Sequence, residues 1–485
     1  MSIVALIAAV QLGTPFSDGA VLQRGMRVPV WGTAEAGERV VVTFAGQEKA
    51  ASADASGRWR VDLDPMEASA EGRTLTANGA AARDVLVGEV WFASGQSNMD
   101  CPLWATGHSR YRDAKGAMMA EMTRLPLVRY CSAPHVSSVE PRQYSAAWRR
   151  YVPEDLRKNR ISAVAFYYAR ELYLALGVPV GIVVAAWGGT NIDAWTPRSG
   201  YDGCDESIAD VARLPVLEKE AFAESRTNGA YAGKRIYGSQ NQQPTVLFNG
   251  MVASWCPMAM KGFIWYQGCH NNCENQLYCA KMHALYNGWA REFENPSLKL
   301  YFAQLAPYGS GWLAIAQQQN KFAAEEPNAA IAVTADVGNV KDIHPNDKET
   351  VAQRLALHAL RRDYGVSDCD DDSPSFRSVA FSNDVATVSF DHARRFYVYA
   401  ADYSKTTAFE LCGTNGVWQA AEVVNFRKKP KGANWADTFQ IDEDVIRLRS
   451  KSVMEPVRVR YMGRPGAVGT VYNELSLPLG YFESR

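Results

Sequence analysis

Over residues 1–84, apolar and polar side chains alternate in short runs broken by glycine. Val28-Pro29-Val30-Trp31-Gly32, Arg39-Val40-Val41-Val42-Thr43-Phe44 and Gly57-Arg58-Trp59-Arg60-Val61-Asp62-Leu63 read as strands, with Gly37, Gly46 and Gly57 as punctuation. This pattern predicts a small antiparallel β-sandwich, immunoglobulin-like in general shape.

From Val85 the pattern changes to apolar strands that alternate with amphipathic helices. Val85-Leu86-Val87-Gly88-Glu89-Val90-Trp91 leads into Phe92-Ala93-Ser94-Gly95-Gln96-Ser97-Asn98-Met99, a strand that stops at a small serine-bearing turn. Ser162 can cap a helix that Gly177 closes, with Val164, Tyr167, Tyr168, Glu171, Leu172 and Leu176 at helical spacing between them. The buried parallel strand 180–186 follows and ends in Trp187-Gly188-Gly189-Thr190-Asn191. The same grammar resumes with Thr245-Val246-Leu247-Phe248-Asn249-Gly250. A strand at 262–266 then runs into Gln267-Gly268-Cys269-His270-Asn271, followed by a helix over 277–293 and a strand over 299–305. A helix over 312–324, a strand over 330–334 and a helix over 348–364 complete it, with Lys341-Asp342-Ile343-His344-Pro345 before the last helix. Helix followed by apolar strand predicts a doubly wound α/β domain over 85–372. Residues 200–243 are polar and Ala-rich, with a helical stretch near 211–224, and are assigned as an insertion or lid. Beyond residue 373 short β segments return, punctuated by Asn383-Asp384, Gly413-Thr414-Asn415-Gly416 and 463–466, and predict a second β-rich domain over 373–485.

The length of 485 residues fits several domains rather than one core. The 51 basic and 52 acidic residues are spread without long runs, so nothing recruits nucleic acid or an anionic membrane surface. No segment approaches the roughly 18 uninterrupted apolar residues of a membrane helix. The 1–12 stretch is apolar but short, has no Lys or Arg ahead of it, and is not read as an export signal, leaving compartment and oligomeric state open. Nine cysteines scattered through a chain this long do not form a disulfide framework. Cys269, His270, Cys273, Cys279 and His283 lie close in sequence but lack the paired spacing of a zinc site, and no metal is assigned. Thirteen Trp and 22 Tyr can line a sugar cleft, though most are assigned to the core.

Four polar turns at strand ends thus hold Ser97, Gly188 with Gly189, Asn271, and Asp342 with His344. Ester hydrolysis by a serine needs a base, a group that orients the base, and donors for the oxyanion. Ser97 is the candidate nucleophile and His344 the base. Asp342, two residues before His344, projects to the same side if that segment is extended, as Pro345 favours. The alternative is that Asp342 caps the turn and His344 bonds a main-chain carbonyl. Candidate oxyanion donors are the N–H groups of Ser97 and Gly189 and the side-chain amide of Asn271. Gln96, Gln267 and Trp187 stand beside these positions as candidate substrate contacts. A neutral His344 is required, so activity is expected to fall on the acid side.

These blocks resemble the sialate O-acetylesterase family within the SGNH (GDSL-like) hydrolases. The resemblance rests on Gly95-Gln96-Ser97-Asn98-Met99, on Trp187-Gly188-Gly189-Thr190 with Ala194-Trp195, and on the run Pro244-Thr245-Val246-Leu247-Phe248-Asn249-Gly250-Met251. It extends to Trp265-Tyr266-Gln267-Gly268 and to Asp342-Ile343-His344-Pro345 with Lys348, and to the terminal blocks Phe16-Ser17-Asp18-Gly19, Val21-Leu22-Gln23-Arg24 and Tyr472-Asn473-Glu474. It implies a flavodoxin-like three-layer catalytic domain flanked by β-sandwich domains at both ends. It also implies a Ser-His-Asp acyl-enzyme mechanism without metal or other cofactor, and a small acetylated sugar or oligosaccharide as partner, O-acetylated sialic acid first. Two positions depart from the family pattern: Cys269 stands where a glutamate is expected, and Asp100 where glutamate commonly follows the methionine. An acetylesterase acting on xylan, xyloglucan or pectin is the rival within the enzyme class. A non-catalytic carbohydrate-binding protein on a hydrolase scaffold is the rival outside it, favoured only by Cys269.

Overall fold

The computed structural model describes residues 10–106, 114–227, 239–272, 274–309, 312–366, 371–399, 408–426, 438–464 and 466–484. The chain is of mixed α/β type and divides into two compact units, residues 1–270 with 279–301, and residues 271–278 with 302–485.

In the first unit, β1 (Gln11–Leu12), β3 (Val28–Thr33) and β6 (Arg58–Leu63) form an antiparallel sheet. β6 alternates exposed and buried positions from Arg58 onward, as its period-2 sequence demands. A second set comprises β2 (Val21–Gln23), β4 (Arg39–Phe44), β5 (Gln47–Ser52) and β7 (Ser69–Ala77), and it leads into β8 (Ala80–Gly95). β8 is sixteen residues long and runs without interruption through the position expected as a domain edge. Its first half pairs antiparallel with β7 and parallel with β2, and its second half pairs parallel with two strands of the α/β region.

The short helix α1 (Ser97–Asp100) follows β8 directly. Then come α2 (Ala114–Thr123), β9 (Val128–Ser132), β10 (Arg149–Arg150), α3 (Ala163–Leu176) and β11 (Val180–Ala186). Ser162 caps α3 by accepting from Ala165 N–H at 3.2 Å, and Gly177 closes it at φ 65°, both as expected. The 200–243 stretch contains α4 (Glu206–Arg213) and α5 (Lys219–Thr227) in place of one helix, because Pro215 between them has no N–H and cannot continue a helix. Residues 228–238 of the expected lid lie outside the described residues. The apolar run 245–250 leads into a π-helical turn, Phe248–Val252, entered through Thr245 at φ 71°. β12 (Gly262–Tyr266) and α6 (Tyr278–Glu292) follow.

The strands run in the order β10-β9-β11-β8-β12, with β9, β11, β8 and β12 parallel. Every residue of β11 and β12 is buried, which is the mark of strands covered on both faces. The aromatic surplus goes largely into this core. Trp91 meets Tyr168 edge-on at 5.3 Å and stacks on Tyr301 at 5.6 Å, while Phe92 is ringed by Trp255, Trp289 and Phe293. Such pairs each add about 0.5–1.5 kcal/mol beyond the area they bury.

The second unit contains α7 (Trp312–Glu325), the strand Ala329–Ala332 and α8 (Lys348–Arg362). Gln304 N–H donates to Ala332 at 3.0 Å, and Phe302 packs on Phe322 of α7. Beyond Ser375 short antiparallel strands form three sheets among the described residues, one opening with the hairpin Ser375–Ser382 and Val385–Asp391. No helix among the described residues is long and apolar enough to cross a membrane.

Candidate active site

The turn at the end of β8 exists because position 95 is glycine. Gly95 sits at φ 141°, and a Cβ there would lie 2.3 Å from the carbonyl oxygen of Tyr266 in β12. Gln96 is extended and donates its N–H to that same oxygen at 3.0 Å, while its own carbonyl accepts from Met99 and Asp100 at 2.9 Å. Ser97 is therefore the first residue of a one-turn helix. It is half-buried, while Asn98, Met99 and Asp100 are buried. Ser162 Oγ locks the turn from behind by donating to Met99 O at 2.6 Å.

The Gly188-Gly189 turn at the end of β11 closes over Ser97. A Cβ on Gly188 would lie 3.3 Å from Ser97 Cβ, so a side chain there would crowd Ser97. Gly189 adopts φ 72° and is exposed. Gln242 Nε2 donates to Gly189 O at 2.8 Å, fixing the orientation of that peptide plane. Thr190 Oγ1 donates to Trp187 O at 2.7 Å and accepts from Trp195 Nε1 at 3.0 Å.

Two of the expected substrate contacts are frame members in this structure. Gln267 is fully buried and donates through Nε2 to Thr190 O at 3.0 Å. Gln96 is buried, and its Oε1 accepts from the N–H groups of Gly268 and His270 at 3.4 Å. Together they tie the turns at 95–97, 187–191 and 267–270 to one another. Trp187 is half-exposed and stacks on His135, with ring centroids 4.6 Å apart and planes 10° off parallel.

One contributor had no obvious sequence signal across the 88 residues that separate its members. Asp193, five residues past Gly188, forms an ion pair with Lys281 of α6 at 2.7 Å, and both side chains are 1% exposed. Asp193 also accepts from Tyr201 Oη at 3.2 Å. The readable hint was local: Lys281 occupies an apolar-stripe position of α6 beside Tyr278, Met282 and Leu285.

Asn271, Asp342 and His344 belong to the second unit. Asn271 is buried and donates from Nδ2 to Glu274 Oε2 at 3.2 Å. The Asp342–His344 segment is a turn rather than an extended strand. Asp342 N–H donates to Asn339 O at 3.0 Å, and His344 N–H donates to Asp342 Oδ1 at 2.9 Å. His344 Nδ1 lies 3.7 Å from the same Oδ1, an ion-pair distance longer than a hydrogen bond, and both side chains are about half exposed. The turn, not strand alternation, brings them to one side. It is anchored to α8, where buried Lys348 donates to Pro345 O at 2.6 Å and Asp347 caps the helix by accepting from Thr350 N–H at 2.9 Å.

Residues 228–361 match the family model described as "Carbohydrate esterase, sialic acid-specific acetylesterase". The chain is 27% identical to the sialate O-acetylesterase of Rattus norvegicus, covering 82% of this chain and 81% of the relative. It is 28% identical to that of Homo sapiens, covering 71% and 69%. Among solved structures it is similar to a carbohydrate acetylesterase from Xanthomonas citri, with 29% identity, a TM-score of 0.78, and coverage of 98% of this chain and 100% of that one. The resemblance carried by the sequence blocks thus holds over most of the chain.

Proposed function

From this similarity and from the geometry around Ser97, we propose that the chain is a serine esterase that removes O-acetyl groups from carbohydrates, with O-acetylated sialic acid as its first substrate. The observation that carries the reading is the nucleophile turn itself: Ser97 opens a one-turn helix, directly against Gly188, with Gly189 exposed beside it.

In the proposed reaction Ser97 Oγ attacks the acetyl carbonyl carbon while His344 takes the hydroxyl proton and Asp342 holds the imidazole. The negative charge on the carbonyl oxygen is met by the N–H groups of Ser97 and Gly189 and by the Asn271 amide. Collapse expels the sugar hydroxyl, which takes the proton back from His344 and leaves an acetyl-enzyme. A water, deprotonated by His344, then releases acetate and restores Ser97. Each part comes from a side chain or backbone group, so no cofactor enters. The fold proposed for 85–372 is the flavodoxin-like three-layer type of the SGNH hydrolases, flanked by β-sandwiches over 1–84 and 373–485. Support for the core comes from the parallel order β9-β11-β8-β12 with the nucleophile at the end of a central strand.

The test is acetate release by the full chain from O-acetylated sialic acids and from acetylated xylan, xyloglucan and pectin fragments, with Ser97→Ala beside it. Removal of the nucleophile should lower kcat by about 10⁴-fold or more. Equal hydrolysis of p-nitrophenyl acetate by the two proteins refutes the esterase reading and leaves the binding-protein alternative. Faster release from the polysaccharide fragments than from sialic acids moves the substrate assignment.

A further inference from the structure

Directly behind the Ser97 turn lies a charged cluster that the reaction above does not use. Asp100 ends α1, and its side chain is 7% exposed. Arg160 grips it with two parallel bonds, Nε to Oδ1 at 2.6 Å and Nη2 to Oδ2 at 2.7 Å. The N–H of Gly188 also donates to this carboxylate. His135 faces it as well, with Nε2 3.8 Å from Oδ1, and the same Nε2 donates to Ala186 O at 2.9 Å, the last carbonyl of β11. Trp187 N–H, between these two anchor points, donates to Gly95 O at 3.1 Å. Three consecutive backbone groups are therefore fixed: Ala186 O by His135, Trp187 N–H by Gly95 O, and Gly188 N–H by Asp100. The next peptide in line carries Gly189 N–H.

We propose that Asp100 is a positioning residue for the oxyanion donor: by holding Gly188 N–H it sets the angle at which Gly189 N–H faces the acyl oxygen. Burial raises the Asp100 carboxyl above the ordinary carboxylate range, and Arg160, His135 and the Gly188 N–H oppose that shift, while the two-bond grip of Arg160 aims the carboxylate. A glycine pair has no side chain to hold its own peptide planes, so a turn this mobile in principle needs an external acceptor if a donor is to be preorganised. Asp100 does not touch substrate in this scheme. It acts in the transition state through the backbone, which predicts an effect on kcat with KM nearly untouched. The inference rests on the esterase reading of Ser97 for its kinetic arm only.

The experiment compares wild type, Asp100→Glu, Asp100→Asn and Ser97→Ala in the full chain. Two measurements are made: kcat and KM on p-nitrophenyl acetate, and hydrogen exchange, followed by mass spectrometry, of the peptide covering 185–192. Asp100→Asn keeps the shape but loses the charge that pairs with Arg160, and should lower kcat about 10- to 100-fold with KM within about twofold. Asp100→Glu keeps charge and acceptors and should recover much of that loss. Exchange in the 185–192 peptide should quicken in Asp100→Asn and stay slow in Asp100→Glu. Unchanged kcat in Asp100→Asn, a matching rise in KM, or unchanged exchange overturns the proposal. If Ser97→Ala is as active as wild type, the esterase reading fails separately, and the exchange comparison still decides whether Asp100 holds the turn.

Discussion

The buried ion pair between Asp193 and Lys281 gives the sharpest stability prediction. Lys281→Met keeps most of the aliphatic stem of the lysine and removes only its charge. It leaves the Asp193 carboxylate 1% exposed, having lost a partner 2.7 Å away. Breaking a buried pair on one side costs about 3–5 kcal/mol, because the remaining charge cannot return to water. For a unit of about 290 residues, with an unfolding entropy of about 2 cal/mol/K per residue, that loss lowers Tm by roughly 5–8 °C. The second variant, Asp193→Asn with Lys281→Met, removes the stranded charge and keeps an acceptor for Tyr201 Oη. It should regain more than half of the loss. The assay is differential scanning calorimetry of wild type, single and double variants at one pH and salt concentration. Because Asp193 also accepts Thr245 N–H through its carbonyl, just past the Gly188-Gly189 turn, the single variant should lose kcat several-fold at temperatures where it is folded. A Tm change below about 2 °C in Lys281→Met, or a double variant no more stable than the single one, would refute the reasoning.

Gly95→Ala sets a Cβ 2.3 Å from Tyr266 O, against backbone that cannot give way, so it should destabilise by about 3 kcal/mol or more and abolish esterase activity. Gly25→Ala, also at positive φ but with no atom within 4 Å, isolates the conformational part at about 1 kcal/mol. Equal losses in urea unfolding of the two variants would contradict the steric argument. In the second unit, burial pushes the Asp371 carboxyl up, but His358 Nδ1 at 3.0 Å and Arg362 outweigh it and hold the carboxyl below the ordinary carboxylate value. A lowered native value adds stability above the unfolded carboxylate pKa of about 3.9, and that stability is lost as pH falls through the native value. Thermal unfolding from pH 7 down to pH 3 should therefore show an acid-side decline that Asp371→Asn flattens, and a variant with the wild-type pH slope would remove Asp371 as its source.

How much of the site was legible follows from how local each constraint is. The turn at Gly95-Gln96-Ser97 was readable because strand, glycine and serine stand next to one another. The cap and stop of α3 were readable for the same reason: Ser162 and Gly177 act on backbone within four residues. The π-helical turn at Phe248–Val252 was not, because Val246-Leu247-Phe248 is apolar in either conformation and burial alone does not distinguish strand from helix. Residue type alone does not tell where a polar side chain serves the frame. Gln96 and Gln267 read as candidate ligand contacts beside Ser97; both are buried, and both bond backbone of neighbouring turns that the sequence leaves more than seventy residues away. The Asp342-His344 pair was legible as a pair, but the route to it was not: extended alternation was expected, and a carboxylate that accepts the histidine's own N–H does the work instead. The general consequence concerns where specificity resides in this fold. The candidate catalytic residues sit in short self-announcing turns, while Gln242, Gln267 and Lys281 bond residues 53 to 88 positions away in the pairs Gln242–Gly189, Gln267–Thr190 and Lys281–Asp193. Substitutions at such supports should alter rate without altering any group that meets substrate, and a motif search that sees only the turns would score them as intact.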